Sequence, residues 1–270
     1  MDNTKRKPVN ASLKVFCIFL VAFVFVLVSP YSSFAKGKTY RDSDWNSSAY
    51  DNCGLPVTRG EKRSVALVKI DGDRKVRMTL REGEVGRCST DAKARHSAPF
   101  WERAELRQDG YLKIGKVHRL KFEAIFQEGF RGRRETFFQV HGWNGNCHAY
   151  PPLMMMFDRE KLTIWALRNV SGDGISRQNR GSHKDVASKL VSINSLLGKP
   201  SKFEVEFDTR RQPGRLSVLL NGRAIVQSTS IGFANCAKPY FKFGVYRPGG
   251  SGSKTSTVLF DNIIVETVQK

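Results

Sequence analysis

Two polar side chains interrupt an apolar, aromatic stretch of the chain, the FFQVHGW of residues 137–143. Gln139 and His141 are two positions apart, and side chains with that spacing point to the same face of a β-strand. An imidazole is neutral near pH 7 and can accept a proton, while an amide can hydrogen-bond to an anionic oxygen. The spacing therefore predicts a strand with one face for packing and one face for chemistry.

Two further segments divide in the same way into an apolar face and a polar face. The first polar face carries Arg103, Glu105 and Arg107, and the second carries Tyr240, Lys242, Gly244 and Tyr246. A surface that only met solvent would favour serine, threonine, lysine and glutamate, whereas these residue types suit a groove for a polymer. The bare backbone of Gly244 would let a sugar ring lie close to the sheet.

Placing these faces side by side requires a sheet, and short alternating or apolar runs separated by turn residues predict one. The candidate strands are residues 64–70, 75–80, 101–108, 118–126, 135–143, 153–158, 161–168, 201–209, 215–221, 223–228, 240–247 and 257–267. Asn221-Gly222 is the clearest hairpin turn. Helical signal is weak and is strongest around Asp185–Leu197. The pattern favours an all-β fold, a sandwich or jelly roll of two antiparallel sheets.

The first residues read as a targeting segment rather than as part of this fold. Four basic residues up to Lys14 precede the apolar run Val15–Val28, and Ser33-Phe34-Ala35 follows. We therefore predict a signal peptide over residues 1–35, an N-terminal arm over 36–60 and the β domain over 61–270. The apolar run is shorter than the ~20 residues that a membrane-spanning helix needs, although an uncleaved anchor is the alternative. The expected location is secreted or periplasmic, without stable membrane association.

The charge of the chain points to an anionic partner. Its formal net charge is +20, and a basic groove concentrates anionic ligands and speeds their capture. Export favours an acidic polysaccharide over nucleic acid, and we expect a monomer. A basic surface that binds nothing in particular is the alternative.

The cysteines and acidic residues limit the disulfides and metal sites that can be expected. The predicted mature chain keeps Cys53, Cys88, Cys147 and Cys236, an even number that an oxidising compartment would pair in one of three ways. No cysteine–histidine cluster suggests zinc. Asp71, Asp73 and Asp261 could ligate calcium, although turn roles are favoured, so no cofactor is required and Ca²⁺ is possible.

The three polar segments resemble, in this order, the signature strands of jelly-roll polysaccharide lyases. They are Arg-Ala-Glu-Leu-Arg (103–107), Gln-Val-His (139–141) and Tyr-Phe-Lys-Phe-Gly-Val-Tyr (240–246). The third is very similar to the motif of alginate lyases, while WERAELRQ (101–108) and the QVHGW continuation look more like heparin lyase I and glucuronan lyase. The resemblance covers roughly residues 95–270 and implies a concanavalin-like jelly roll. Arg247-Pro248 stands where alginate lyases usually have Asn-Gln, which argues against alginate as the substrate.

This resemblance implies cleavage of a uronic-acid polysaccharide by β-elimination. The C5 proton of a uronate is weakly acidic while the neighbouring carboxylate is charged, so Arg103 and Gln139 would neutralise that charge. His141 would remove the proton. Tyr246 would protonate the departing O4 oxygen, or serve as both base and acid when proton and leaving group lie on one side. The substrate-binding set would be Arg107, Lys242, Glu105, Tyr240 and Gly244, with Glu105 holding the arginines.

Two other functions remain open at this level. A non-catalytic jelly roll could bind an acidic polysaccharide in the same basic groove. A glycoside hydrolase would need a carboxylate pair, and EVEFD (204–208) superficially resembles the acidic strand of jelly-roll hydrolases. That run has a different order of acidic residues and falls in a strand expected on the outer sheet.

Overall fold

The computed structural model describes residues 38–39, 64–86, 88, 90–94, 98–108, 110–142, 151–168, 182–188, 190–233 and 238–268. All of them belong to one compact unit, residues 34–270. The strands are β1 (Lys38–Thr39), β2 (Val65–Ile70), β3 (Asp73–Arg81), β4 (Trp101–Arg107), β5 (Val117–Phe126), β6 (Glu135–His141), β7 (Leu153–Asp158), β8 (Lys161–Arg168), β9 (Ser182–Ala187), β10 (Ser201–Asp208), β11 (Gly214–Leu220), β12 (Arg223–Ile231), β13 (Tyr240–Pro248) and β14 (Thr255–Val268).

These strands form two antiparallel sheets, which confirms the predicted fold class. The larger sheet has the order β12-β11-β10-β5-β14-β3-β2, and β1 pairs with β14. The smaller sheet has the order β4-β13-β6-β7-β8-β9. Neighbours far apart in the chain, such as β4 and β13, come together through this order, so local sequence cannot specify the pairing.

A continuous core of aromatic and aliphatic side chains lies between the sheets. Phe122 of the larger sheet stacks on Phe138 of the smaller sheet, with 4.8 Å between ring centroids. Phe203 packs on the same Phe122 ring at 5.2 Å. Each such side chain contributes about 1.5–3 kcal/mol when fully buried. The core therefore supports one face of the smaller sheet, and the opposite face is available for a site.

A β-bulge in β6 allows two consecutive phenylalanines to pack on the same side. Thr136 pairs with Met156 and Phe138 pairs with Met155, so Phe137 is the additional residue in β6. Both phenylalanines are buried in the core. Strict alternation would have put Phe137 on the same face as Gln139. The bulge, a feature often found beside active sites, keeps that face polar while filling the core.

The twelve predicted strands are all present with slightly different ends. The predicted hairpin is also confirmed, since Asn221 and Gly222 have φ of 51° and 78° between β11 and β12. The weak helical signal around Asp185–Leu197 does not correspond to an α-helix. Residues 182–187 form β9, and among the described residues that follow, Ile193–Ser195 form a short 3-10 helix. Pairing of β9 with β8 and packing of Val186 against the core outweigh the weak helical preference.

Several predicted features lie partly or wholly outside the described residues. These are the signal peptide, most of the N-terminal arm, most of the loop over 171–183, and Cys53, Cys147 and Cys236. Cys88 is disulfide-bonded, and its pairing remains a prediction. Within the arm, Lys38 pairs with Val265 of β14. No helix in the described part of the chain is long and apolar enough to cross a membrane.

Candidate active site

Strand register brings the three polar segments together on one face of the smaller sheet. The central strand is β13, because Tyr246 pairs with Arg103 of β4 and Tyr240 pairs with His141 of β6. Directly paired residues of neighbouring strands share a face. We call this surface the site face, and it carries Arg103, Glu105, Arg107, Gln139, His141, Tyr240, Lys242, Gly244 and Tyr246. All nine predicted residues are thus brought together.

Glu105 is the centre of a buried network on this face. One carboxylate oxygen accepts a hydrogen bond from Gln139 Nε2 at 2.7 Å. The other oxygen lies 2.7 Å from Lys242 Nζ and also accepts from Arg103 Nη1. The Glu105 side chain is fully buried. Its position therefore fixes an amide, an ammonium and a guanidinium relative to one another, while leaving no carboxylate surface for a substrate.

Asp91 is a site residue that the sequence did not reveal. Its carboxylate accepts two hydrogen bonds from Arg103, from Nε at 2.8 Å and from Nη2 at 2.9 Å. It also accepts from the backbone N–H of Cys88 at 3.2 Å. Asp91 lies in the turn segment after β3 and has no exposed surface. No spacing rule links it to Arg103, twelve residues later in the chain, so only the folded chain shows this clamp.

The network sets the ionisation of its members. Burial raises the pKa of Glu105, but the charges on Lys242 and Arg103 outweigh it and bring the value to about 2. Burial lowers the pKa of Lys242 to about 8, with Arg103 acting in the same direction and Glu105 opposing both. Burial also opposes protonation of Arg103, whose pKa is nevertheless raised by Glu105 and Asp91. At pH 7 the Arg103 guanidinium and the Lys242 ammonium are therefore both charged and both in contact with the Glu105 carboxylate.

His141 lies at the edge of this cluster, beside Tyr240. The Tyr240 hydroxyl is 3.1 Å from Nδ1 of His141, and the two rings stack with 5.4 Å between centroids. Burial, followed by the charges on Lys242 and Arg103, lowers the pKa of His141 from 6.5 to about 3. The imidazole is therefore neutral at every pH above about 4, which is the form that accepts a proton.

Tyr246 is held between an indole and a guanidinium. Its ring stacks on Trp101 with 4.9 Å between centroids and an interplanar angle of 21°. The Arg103 guanidinium carbon lies 4.0 Å from the centre of the Tyr246 ring, a cation–π distance. The same arginine therefore contacts Glu105, Asp91 and Tyr246. A shift of Arg103 would disturb the phenol as well as the carboxylates.

The structure gives Gly244 a role in strand packing, whereas the sequence suggested that it leaves room for a sugar ring. Its φ is 143°, a conformation that residues with a side chain rarely adopt. A Cβ atom there would collide with the carbonyl oxygen of Ala104 in β4. The β6 pairing is also irregular between Phe243 and Tyr246. The glycine thus permits β13 to lie close to β4 while the strand bulges toward β6.

Arg247 faces away from the site. It is fully buried, and its guanidinium contacts Glu102, Glu135 at 3.0 Å and the Ser256 hydroxyl at 2.6 Å. Those carboxylates in turn accept hydrogen bonds from the backbone N–H groups of Gly83 and Gly132. The departure of Arg247-Pro248 from the alginate lyase pattern argues against alginate as the substrate in the sequence. Because the Arg247 side chain takes no part in the site face, its identity carries no direct argument about the substrate.

Other acidic groups singled out in the sequence have structural partners. Asp73 and Asp261 converge on Lys75 Nζ, at 2.9 and 2.5 Å. Within the described residues no group of three or more histidine, cysteine, aspartate or glutamate side chains could hold a metal ion. Glu204 and Glu206 of the EVEFD run lie in the larger sheet and pair with Arg119. That run is therefore not part of the site face.

Comparisons with known proteins agree with this architecture. A model of the polysaccharide lyase family matches residues 37–264. The solved structure of family 7 alginate lyase A1-II' with product aligns with a TM-score of 0.51 and 16% identity, over 74% of this chain and 83% of that chain. Alginate lyase vAL-1 from Chlorella virus aligns with a TM-score of 0.51 and 12% identity, over 75% and 88%. Curated proteins gave no match. At these identities the solved structures show the shared fold.

Proposed function

Because the chain belongs to the polysaccharide lyase family, we propose that it is an exported enzyme that cleaves a uronic-acid polysaccharide by β-elimination. The observation that carries the proposal is the meeting of Arg103, Gln139, His141 and Tyr246 on one face. These residues come from three strands and offer a cation, an amide, a neutral imidazole and a phenol. That combination matches the steps of the reaction.

The first step is neutralisation of the substrate carboxylate next to C5. Gln139 donates one amide hydrogen to Glu105, and its second amide hydrogen is the group that would meet the substrate. Arg103 uses three of its donors on Asp91 and Glu105, and a guanidinium has five. Hydrogen bonds from these preorganised donors would become stronger in the transition state, because negative charge develops there on C5 and its carboxylate.

The second step is removal of the C5 proton. His141 would act through Nε2, which requires the proton of the neutral ring to lie on Nδ1 and to be donated to the Tyr240 oxygen. The distance of 3.1 Å between Nδ1 and that oxygen allows this bond. The cations that depress the His141 pKa would be offset in part by the bound substrate carboxylate, which makes the imidazole a better base once substrate is in place.

The third step is departure of the O4 oxygen with a proton from Tyr246. Stacking on Trp101 fixes the ring, and Arg103 over its face favours a negative charge on the phenol oxygen after the proton has left. When proton and leaving group lie on the same side of the sugar, Tyr246 would serve as both base and acid. The two routes differ in their dependence on His141.

A panel assay tests the function. The protein is incubated with alginate, glucuronan, heparin, heparan sulfate and hyaluronan, and the ultraviolet absorbance of the unsaturated uronate product is followed. We expect absorbance on at least one polymer and loss of it in Tyr246→Phe. Binding without absorbance on every polymer would favour a non-catalytic module. New reducing ends without absorbance would favour a hydrolase. Export is tested separately, by N-terminal sequencing of the secreted protein.

A further inference from the structure

A row of paired residues runs across the smaller sheet from the site face to β8. Lys242 pairs with Gln139, Gln139 pairs with Met154 of β7, and Met154 pairs with Trp165 of β8. Directly paired residues share a face, so Trp165 lies on the same face as Gln139. Neighbouring strands are about 4.8 Å apart, which places the two backbones about 10 Å from each other.

The alternation within β8 supports this orientation. Leu162, Ile164 and Ala166 are fully buried in the core between the sheets. Trp165 points to the opposite side and is partly exposed. None of the catalytic steps described above uses it. A partly exposed indole on the face that holds the catalytic residues offers a flat apolar surface to a ligand.

Arg134 adds a cation to this surface. Its guanidinium carbon lies 5.8 Å from the centre of the Trp165 ring, and the residue is exposed. Its φ is 57°, an uncommon conformation for a residue with a long side chain. The following residue, Glu135, is fixed by Arg247 and by the backbone N–H of Gly132. Such strain persists where the surroundings hold it, and it concentrates at functional sites.

From these contacts we propose that Trp165 and Arg134 form a binding subsite for a uronic-acid residue of the polymer, on the β7–β8 side of the cleaved linkage. A uronate ring has an apolar face of C–H groups and a carboxylate at its edge. The indole suits the first and the guanidinium suits the second. The polymer then lies across the strands, along the row from Lys242 to Trp165. This inference rests on the proposed function.

The test compares substrates of increasing length from the polymer that the panel shows to be cleaved fastest. Trp165→Ala should raise KM for hexasaccharides and longer chains about tenfold. For the shortest cleaved oligosaccharide KM should be unchanged, and kcat should be retained throughout. Trp165→Phe, which keeps an aromatic face, should restore most of the affinity. Arg134→Gln should raise the same KM at low salt and less at high salt.

The control is Leu67→Ala, an exposed apolar residue of β2 in the other sheet, which should leave KM unchanged at every length. An equal loss on short and long substrates in Trp165→Ala would overturn the subsite, as would unchanged KM on hexasaccharides. If the wild type cleaves no polymer, the proposed function fails. The subsite is then judged by calorimetric affinity for alginate hexasaccharide, and equal affinity of wild type and Trp165→Ala overturns it.

Discussion

At the scale of single residues, the ionisation of His141 is the most direct test of the site. Its pKa is lowered to about 3 because burial and neighbouring cations oppose the charged form. The fraction of neutral imidazole is therefore constant from pH 5 to pH 8, and kcat/KM should show no inflection near pH 6.5 from this group. Titration of the ring protons by NMR checks the shift itself. A midpoint between pH 6 and 7 would contradict it.

A matched variant separates the causes of that shift. Lys242→Met removes the cation that ranks next after burial in lowering the His141 pKa, so the pKa of His141 should rise toward 6.5 in this variant.

His141→Ala should reduce kcat by about 100-fold or more, the usual contribution of general base catalysis. Retained kcat in His141→Ala would assign the base role to Tyr246 instead.

Lys242 should give the activity a pH dependence on the alkaline side. Its pKa is lowered to about 8, so the ammonium is charged at pH 7 and loses its charge as the pH rises through 8. Because a neutral amine attracts an anionic polymer less, KM should rise across this range. Lys242→Arg carries a charge that does not titrate there, and its KM should stay flat between pH 7 and 9. Identical profiles for the two proteins would contradict this assignment.

At the scale of structural elements, the turn segment after β3 is part of the candidate active site because it carries Asp91. Two further backbone bonds tie it to β4, from Gly86 N–H to the Trp101 carbonyl oxygen at 3.1 Å and from Trp101 N–H to the Asp91 carbonyl oxygen at 2.8 Å. Asp91→Asn keeps the shape of the side chain and removes its charge. We expect kcat to fall by about 100-fold, since a small displacement of Arg103 misplaces the carboxylate contact.

The kinetic pattern distinguishes positioning from loss of structure. With one anion removed, Arg103 is less neutralised and attracts the substrate carboxylate more strongly, so KM should not rise in Asp91→Asn while kcat falls. Asp71→Asn is the control, because Asp71 is an exposed turn residue with φ of 52° that asparagine adopts readily. A rise in KM with unchanged kcat would contradict the positioning role.

The elements also show what sequence alone could and could not provide. Period-two alternation placed Gln139 with His141 and Arg103 with Glu105, because that rule depends only on neighbours in the chain. The bulge at Phe137 and the pairing of β9 with β8 depend on partners distant in sequence, and both were missed. Asp91 was missed for the same reason. The motifs therefore supplied the candidate catalytic side chains and Glu105, which holds Arg103 and Lys242, whereas the second carboxylate on Arg103, that of Asp91, required the fold.

At the scale of the whole molecule, two buried ionic networks lie on opposite faces of the same strands. On the site face, Glu105 holds Arg103 and Lys242. On the core face, Arg247 joins Glu102 of β4 to Glu135 of β6. Since Arg247 follows Tyr246 directly, both networks fix the register of β13 between its two neighbours. The core-face network therefore stabilises the sheet that carries the candidate catalytic residues, from the face opposite to them.

Arg247→Asn tests this division of roles. The shorter side chain cannot join Glu102 and Glu135, and breaking a buried ion pair leaves uncompensated charge at a cost of about 3–5 kcal/mol. The free energy of unfolding in urea should fall by that amount, whereas Arg210→Asn, which removes an exposed pair with Asp208, should change it by less than about 1 kcal/mol. The rank order of cleaved polymers should be the same in the Arg247 variant as in the wild type, because the side chain does not reach the site face. A new polymer preference with unchanged stability would contradict this division and give Arg247 a role in substrate choice.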